Sequence, residues 1–343
     1  MDGRDNDAAM LAQGRDAWSR RSILSGLSLT LLAGGCGQRG TERTEQVGIS
    51  PGWPRTIEGA RGKVTLLQQP RRIVSTSVTL TGTLLTIDAP VIGSAATQGD
   101  SDVADAQGFF TQWSSIARER QVKPIYAGEP NVEAVAAMAP DLILVAGTGG
   151  DSALRVLDQL SQIAPTLVLD YGDKSWQELA LLLGTATGLE GKAAETIAGF
   201  DRHVADTART LKLPRQPTTA MVYYEDGSGA NIWTPMSAQG KLLTALGFTL
   251  AHVPLHVRAT EAMGRRRDVV QIMGEQFADA LSGNTILLFA ADAGVTRAVR
   301  ANPFLAHVPA VAGGRVYAMG RDTFRLDYYS AHALLDRIGT MFA

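Results

Sequence analysis

The chain of 343 residues has a single cysteine, Cys36. No disulfide can close within it, and no cysteine-based metal cage can be built. Lysine is also scarce: six lysines stand against 26 arginines, so an anion site here would be made of guanidinium groups. The formal net charge of −2 offers no bulk attraction to nucleic acid or to an acidic membrane. There are five histidines, at 203, 252, 256, 307 and 332. His252 and His256 are four apart, but Pro254 between them argues against a ligand pair on one helix. A transition-metal site needs three or four N, O or S ligands brought together, and no such constellation stands out. No Ser/His/Asp order or carboxylate pair marks a catalytic centre either. The most apolar stretch, Ile23 to Ala33, is about 11 residues long, too short to span a bilayer as a helix.

That stretch has another use. Ser19-Arg20-Arg21-Ser22 leads into it and Gly34-Gly35-Cys36 ends it, the pattern of an export signal over residues 1–35. The paired arginines resemble a twin-arginine signal. A lone cysteine after small residues looks like a lipoprotein cleavage site, which makes Cys36 the candidate for lipidation. The alternative is conventional cleavage nearby and an inert thiol. Residues 36–62 are polar, rich in Gly and Pro and without period, and read as a tether.

The rest of the chain is organised around Gly188 to Leu213. Apolar residues fall at Ala193, Ile197, Phe200, Val204, Ala208 and Leu211, in steps of three and four, the period of one helix face. Gly188 separates this helix from the one before, and Pro214 cannot continue it. It reads as a strut (188–213) between an N-lobe (63–187) and a C-lobe (214–343). The alternative is one more surface helix of a single α/β domain. On both sides strands alternate with helices, which implies parallel-type sheets flanked by helices. In the first half these include strands at Ile73, Val91, Leu142–Val145 and Thr166–Leu169, with a capping box at Ser175–Glu178. In the second half strands are expected at Ala220–Tyr224 and Thr285–Phe289, an extended piece at Phe248–Val253, and a helix within Val270–Leu281. The halves echo each other. Glu133 and Glu275 each open a helix leading to a buried-type strand, ten and eleven residues before its first Ile.

Gly147-Thr148-Gly149-Gly150-Asp151 follows a strand where phosphate loops sit, but it is neither G-x-G-x-x-G nor a Walker A motif. A plain βα turn is the better reading. Loops at strand ends are where α/β folds place ligands. Trp233 follows a Gly-rich turn, and Arg321 to Tyr329 joins the last strand to the last helix. There Phe324 beside Arg325 offers a flat apolar face next to a fixed cation. The alternative is that Trp233 and Phe324 are core and Arg325 is a solvated or salt-bridged surface group.

Several stretches together carry a resemblance: RRIVSTSVTLTGTLLTIDAPVIGSA, GEPNVEAVAAMAPDLILVAGTGGDSAL, ANIWTPMSAQGKLLTALGFTLA and NPFLAHVPAVAGGRVYAMGRDTFRLDYYSAHALLDRIG. From about Val64 to the C-terminus the chain resembles the ferric enterobactin-binding members of the iron–siderophore and vitamin B12 group of ABC-transporter binding proteins. The resemblance implies a class III periplasmic binding protein: two α/β lobes joined by one long backbone helix, ligand in the cleft between them, and little movement on binding. It implies a non-enzymatic role in the periplasm, capturing a ferric siderophore and delivering it to an inner-membrane ABC permease with its ATPase. Contact with the membrane itself would be only through a lipid anchor. Trp233, Phe324 and Arg325 match residues that line the family's cleft. Glu133 and Glu275 match glutamates that dock into arginine pockets of the permease; the alternative is ordinary acids at helix N-termini. A ferric tris-catecholate is a bulky aromatic trianion whose iron is already fully coordinated, so neither a metal ligand nor a cofactor is expected of the protein. One position departs: Asp102 stands where close relatives are expected to carry arginine. Arg321 is the candidate to replace that cation. Asp102 also keeps a hydroxamate siderophore open as the ligand. An exported siderophore hydrolase is the remaining alternative.

Overall fold

The computed structural model describes residues 52–172, 174–260 and 266–343. The export signal, Cys36 and the first part of the tether lie outside them.

The folded chain begins earlier than composition suggests. Strands β1 (Arg55–Gly59) and β2 (Gly62–Leu66) form an antiparallel hairpin in which Ile57 faces Val64. Trp53, Ile57 and Leu66 are buried in the main core. Residues 52–62 are therefore not tether. Two five-residue strands give too short an alternation to show through Gly- and Pro-rich surroundings.

The first lobe holds β3 (Ile73–Ser75), α1 (Val78–Thr86), β4 (Val91–Ala96), α2 (Ser114–Glu119), β5 (Lys123–Ala127), α3 (Val132–Ala137), β6 (Leu142–Ala146), α4 (Leu157–Ser161) and β7 (Thr166–Leu169). The five strands β3 to β7 are all parallel, in the order β5-β4-β3-β6-β7. Every residue of β6 and β7 is buried, as expected of strands covered on both faces. Between β6 and β7 the chain forms a 3-10 turn (Leu154–Val156) followed by the single-turn α4 rather than one longer helix.

Helix α5 (Trp176–Thr187) opens with the expected capping box, Ser175 and Glu178 each bonding the other's backbone N–H. It closes at Gly188, which takes the left-handed conformation at φ 72°. Next comes α6 (Glu190–Thr210), whose 21 residues span about 32 Å. Ala193, Phe200 and Val204 are buried along it, with Ile197, Ala208 and Leu211 packed beside them, so the apolar stripe faces inward as the spacing predicts. It lies against α5 and against helices of the second half.

The second lobe contains β8 (Thr218–Tyr223), β9 (Gly229–Trp233), α7 (Ala238–Ala245), β10 (Val269–Met273), α8 (Phe277–Ala280), β11 (Thr285–Leu288), α9 (Ala293–Ala301), α10 (Pro309–Ala312), β12 (Val316–Ala318) and α11 (Tyr328–Met341). Its strand order, β10-β9-β8-β11-β12, repeats that of the first sheet position for position. The directions do not repeat. β8, β11 and β12 are parallel, but β9 runs antiparallel to both its neighbours. The turn after β8, closed by Tyr224 N–H donating to Gly229 O at 3.0 Å, sends the chain straight back where the first lobe crosses over through a helix. The start of Val270–Leu281 is thus β10 rather than helix, with Val269 and Ile272 buried, and helix follows only as a 3-10 turn and the short α8. The extended piece after Phe248 pairs with β8 through one bridge, Leu250 to Thr218. A continuous apolar cluster runs from the first sheet through Trp176, Phe200 and Leu334 to Leu242 and Phe248, joining the lobes along α6. No helix among the described residues is long and apolar enough to cross a membrane.

Candidate functional site

A cleft lies between the lobes. Thr79, Thr83, Phe110 and Tyr171 line it from the first lobe; Trp233, Gln239, Arg266, Phe324 and Arg325 line it from the second. On the first lobe, Thr79 follows β3 and Tyr171 follows β7, so both stand beyond the carboxyl ends of parallel strands.

Three of the expected residues come together. Trp233 ends β9, is 8% exposed, and has its ring centroid 6.5 Å from that of Phe324, tilted by 57°. Its indole Nε1 is buried without a hydrogen-bond partner among the described residues. Phe324 is 42% exposed, much for a large aromatic side chain, which leaves a π-face open. Gln239 holds this loop in place, its Nε2 donating to the carbonyl oxygen of Phe324 at 2.9 Å.

Arg325 reaches across the cleft. Its Nη1 donates to Thr79 Oγ1 at 2.8 Å and to the Tyr171 hydroxyl, and lies 3.6 Å from Asp151 Oδ1. The guanidinium carbon is 4.8 Å from the centre of the Tyr171 ring and 5.7 Å from that of Phe324. Burial alone would push the Asp151 carboxyl up. Hydrogen bonds from Ser77 and Tyr171, the charge of Arg325 and a bond from Thr79 outweigh it and hold the group below the usual carboxylate range. Tyr171 is pushed up to about 12, mainly by burial and further by Asp151, with Arg325 opposing. The phenol therefore stays neutral and can donate.

Arg321 is placed elsewhere. Gly320, at φ 104°, turns the chain into a 3-10 turn over Arg321–Thr323 that is pinned by the buried Thr323, whose Oγ1 donates to Gly320 O at 2.7 Å. The Arg321 side chain bonds Glu225 at 2.6 Å and Asp292 at 3.2 Å, and is not among the residues lining the cleft. Two carboxylates already meet its charge. Asp102 sits exposed in the turn that bridges Ser101 and Ala104, also outside the lining, while Phe110 and Gln112 of the same loop face the cleft.

Sequence reasoning missed Tyr171, Lys174 and Arg266, which also line the cleft. Arg266 sits just before β10, its Nε donating to Asp268 Oδ1 at 2.9 Å. Three consecutive arginines at 265–267, in a chain of net charge −2, were the available signal. Tyr171 could have been found from its place directly after a buried parallel strand. Glu133 is exposed in the first turn of α3, and Glu275 is exposed in the 3-10 turn Gly274–Gln276. Among the described residues no cluster of three His, Cys, Asp or Glu could hold a metal ion.

Residues 73–323 match the family model described as periplasmic binding protein. The chain belongs to the periplasmic binding protein family. Over 290 residues it is 56% identical to the ferric enterobactin-binding periplasmic protein FepB of Escherichia coli O6:H1, covering 84% of this chain and 91% of that protein. The crystal structure of holo-ViuP matches with a TM-score of 0.78 and 36% identity over 85% of this chain and 96% of that one. The FhuD protein from S. pseudintermedius shares the two-lobed fold, with a TM-score of 0.63 at 17% identity over 84% of this chain and 97% of that one. This binding protein is thus the periplasmic substrate-binding component of an ABC importer. Members of the family bind and hand over solutes and catalyse nothing, which removes the hydrolase alternative.

Proposed function

We propose that the cleft captures a ferric catecholate siderophore of the enterobactin type and presents it to an inner-membrane permease. The observation that carries this reading is the meeting of Trp233, Phe324 and Arg325 at one cleft: a buried indole, an open phenyl face and an oriented guanidinium. Catecholate rings stack on aromatic faces, and their negative charge suits a cation that forms charge-assisted hydrogen bonds. Iron enclosed by six catecholate oxygens needs no bond to the protein. Arg266 adds a second guanidinium on the same wall. The identity to FepB supports the same ligand class.

Asp102 does not line the cleft, so its charge does not count against an anionic ligand there. Glu133 and Glu275, one on each lobe and both exposed, are suited to salt bridges with arginines of the permease. Acylation of Cys36 would keep the protein at the membrane that holds that permease.

Tryptophan fluorescence tests the ligand. Ferric enterobactin at submicromolar concentration is expected to quench the emission, and the chelate should be recovered chemically intact. Quenching by neutral ferric hydroxamates alone, or by neither, overturns the proposal.

A further inference from the structure

The reach of Arg325 is prepared by groups behind the cleft wall. Asp151 is not among the lining residues, and its side chain is only 16% exposed. Its Oδ2 accepts from Ser77 Oγ at 2.5 Å and from Thr79 N–H at 3.1 Å; its Oδ1 accepts from the Tyr171 hydroxyl at 2.7 Å. One carboxylate therefore ties together three segments: the turn after β6, the start of α1, where Ser77 is the N-cap, and the loop after β7.

The turn 147–151 is shaped for this contact. Gly149 has φ 87°, and a Cβ there would lie 1.7 Å from the Tyr171 hydroxyl. Because that hydroxyl gives its proton to Asp151, its oxygen is left as an acceptor for Arg325 Nη1. Arg325 Nε and Nη2 carry no protein hydrogen bond among the described residues. Two other side-chain bonds between the lobes are longer or more exposed: Gln112 Nε2 to Asp327 Oδ2 at 3.4 Å, and Lys241 to Glu178 at 3.1 Å, with side chains 38% and 52% exposed.

We infer that Asp151 and Tyr171 are positioning residues that clasp Arg325 from the opposite lobe, presetting both the spacing of the lobes and the direction in which the guanidinium meets an anionic ligand. The second half of this statement rests on the siderophore reading; the first does not. The apolar seam along α6 fixes the lobes on one side, and the clasp fixes them at the cleft. A ligand then meets a cation whose rotamer is already chosen, so less conformational entropy is lost on binding.

The test measures lobe spacing without ligand. Spin labels are attached to the full chain through Asp158→Cys on α4 and Arg297→Cys on α9, both exposed, in a Cys36→Ser background. Double electron–electron resonance should give one narrow distance distribution. Tyr171→Phe keeps the ring and leaves Asp151 bonded to Ser77 and Thr79, yet breaks the clasp; the distribution should broaden toward longer distances. Asp151→Ala should do the same, and Asp151→Asn, whose one carbonyl oxygen can accept from the phenol only with its amide turned toward the Thr79 N–H, should recover part of the narrow peak. Addition of ferric enterobactin should narrow the Tyr171→Phe distribution again, with affinity about three- to tenfold below that of the parent. An unchanged distribution in ligand-free Tyr171→Phe overturns the clasp. Absence of ferric enterobactin binding to the unaltered protein would instead overturn the siderophore reading and leave the distance result standing.

Discussion

Nδ1 of His203 on α6 lies 3.2 Å from Nδ1 of His332 on α11, within hydrogen-bond distance, so two imidazoles join the linking helix to the C-terminal helix. His203 turns its other nitrogen to Asp336 at 3.3 Å. His332 stands edge-on to Phe200 and Tyr328, with centroids 4.9 and 4.4 Å away, and its Nε2 is buried without a partner among the described residues. Burial and then the neighbouring His203 lower its pKa, with Asp336 opposing. A base whose pKa is lowered on folding binds its proton more readily unfolded, so stability falls as pH drops below the ordinary value of 6.5. His332→Gln should flatten the dependence of Tm on pH in this acid range while leaving Tm above pH 7 comparatively little changed. Thermal melts at a series of pH values check this.

Arg325 and Arg321, four residues apart, should behave oppositely. Arg325→Ala removes one guanidinium from the cleft and is expected to cost about 2 kcal/mol of binding, roughly thirtyfold in Kd. Arg325→Lys should restore little of it, because an ammonium can neither stack on Tyr171 nor fork its bonds. Arg321→Ala should change Kd by less than about twofold, since Glu225 and Asp292 hold that side chain away from the ligand. Fluorescence titrations with ferric enterobactin decide both; a large loss with Arg321→Ala would return that residue to the site.

Gly149→Ala should destabilise the first lobe by about 1–3 kcal/mol, the cost of a side chain held at positive φ, in addition to displacing Tyr171. Gly150→Ala, where nothing stands within 4 Å of a new Cβ, is the matched control and should be close to neutral. Urea denaturation of the two variants measures the difference.

Charge reversal of Glu133 and Glu275 should separate binding from delivery. Neither residue lines the cleft, so Kd for the siderophore should stay the same. Uptake by vesicles carrying the permease and its ATPase should fall at least tenfold in the double variant, the loss expected when like charges face each other across a docking surface. Normal uptake would remove the two glutamates from the interface.

What the sequence disclosed depends on how far each signal extends. The periodicity of α6 runs over six apolar positions from Ala193 to Leu211, long enough to identify both the helix and its buried face. The buried run of β6 and the capping box at Ser175 are equally local and equally legible. The hairpin β1–β2 was not, because its burial comes from packing Trp53 and Ile57 against a core assembled by distant residues. The helix expected within Val270–Leu281 is present as α8, but the strand β10 before it is not legible, because five residues of mixed burial carry no clear period of two. Trp233, Phe324 and Arg325 meet at the cleft, and their places at strand ends and in the loop before the last helix are legible in the sequence. The pairing of Tyr171 with Asp151 joins two turns 20 residues apart and exists only once β6 and β7 are side by side. The place of Arg321 is not legible, because nearness in sequence is not nearness in space: the 3-10 turn after Gly320 sends its side chain to Glu225 and Asp292.

The amino-terminal hairpin does more than extend the core. β7 is the outermost strand of its sheet, and Ala60 N–H donates to Val168 O at 2.8 Å, so the tip of the hairpin lies against the free edge of that strand. An uncovered edge of Val, Leu and Thr is a template for pairing with another chain. Trimming the protein to begin at Lys63 would expose that template, and the product should self-associate through strand-to-strand contact although every residue of the ligand cleft is still in place.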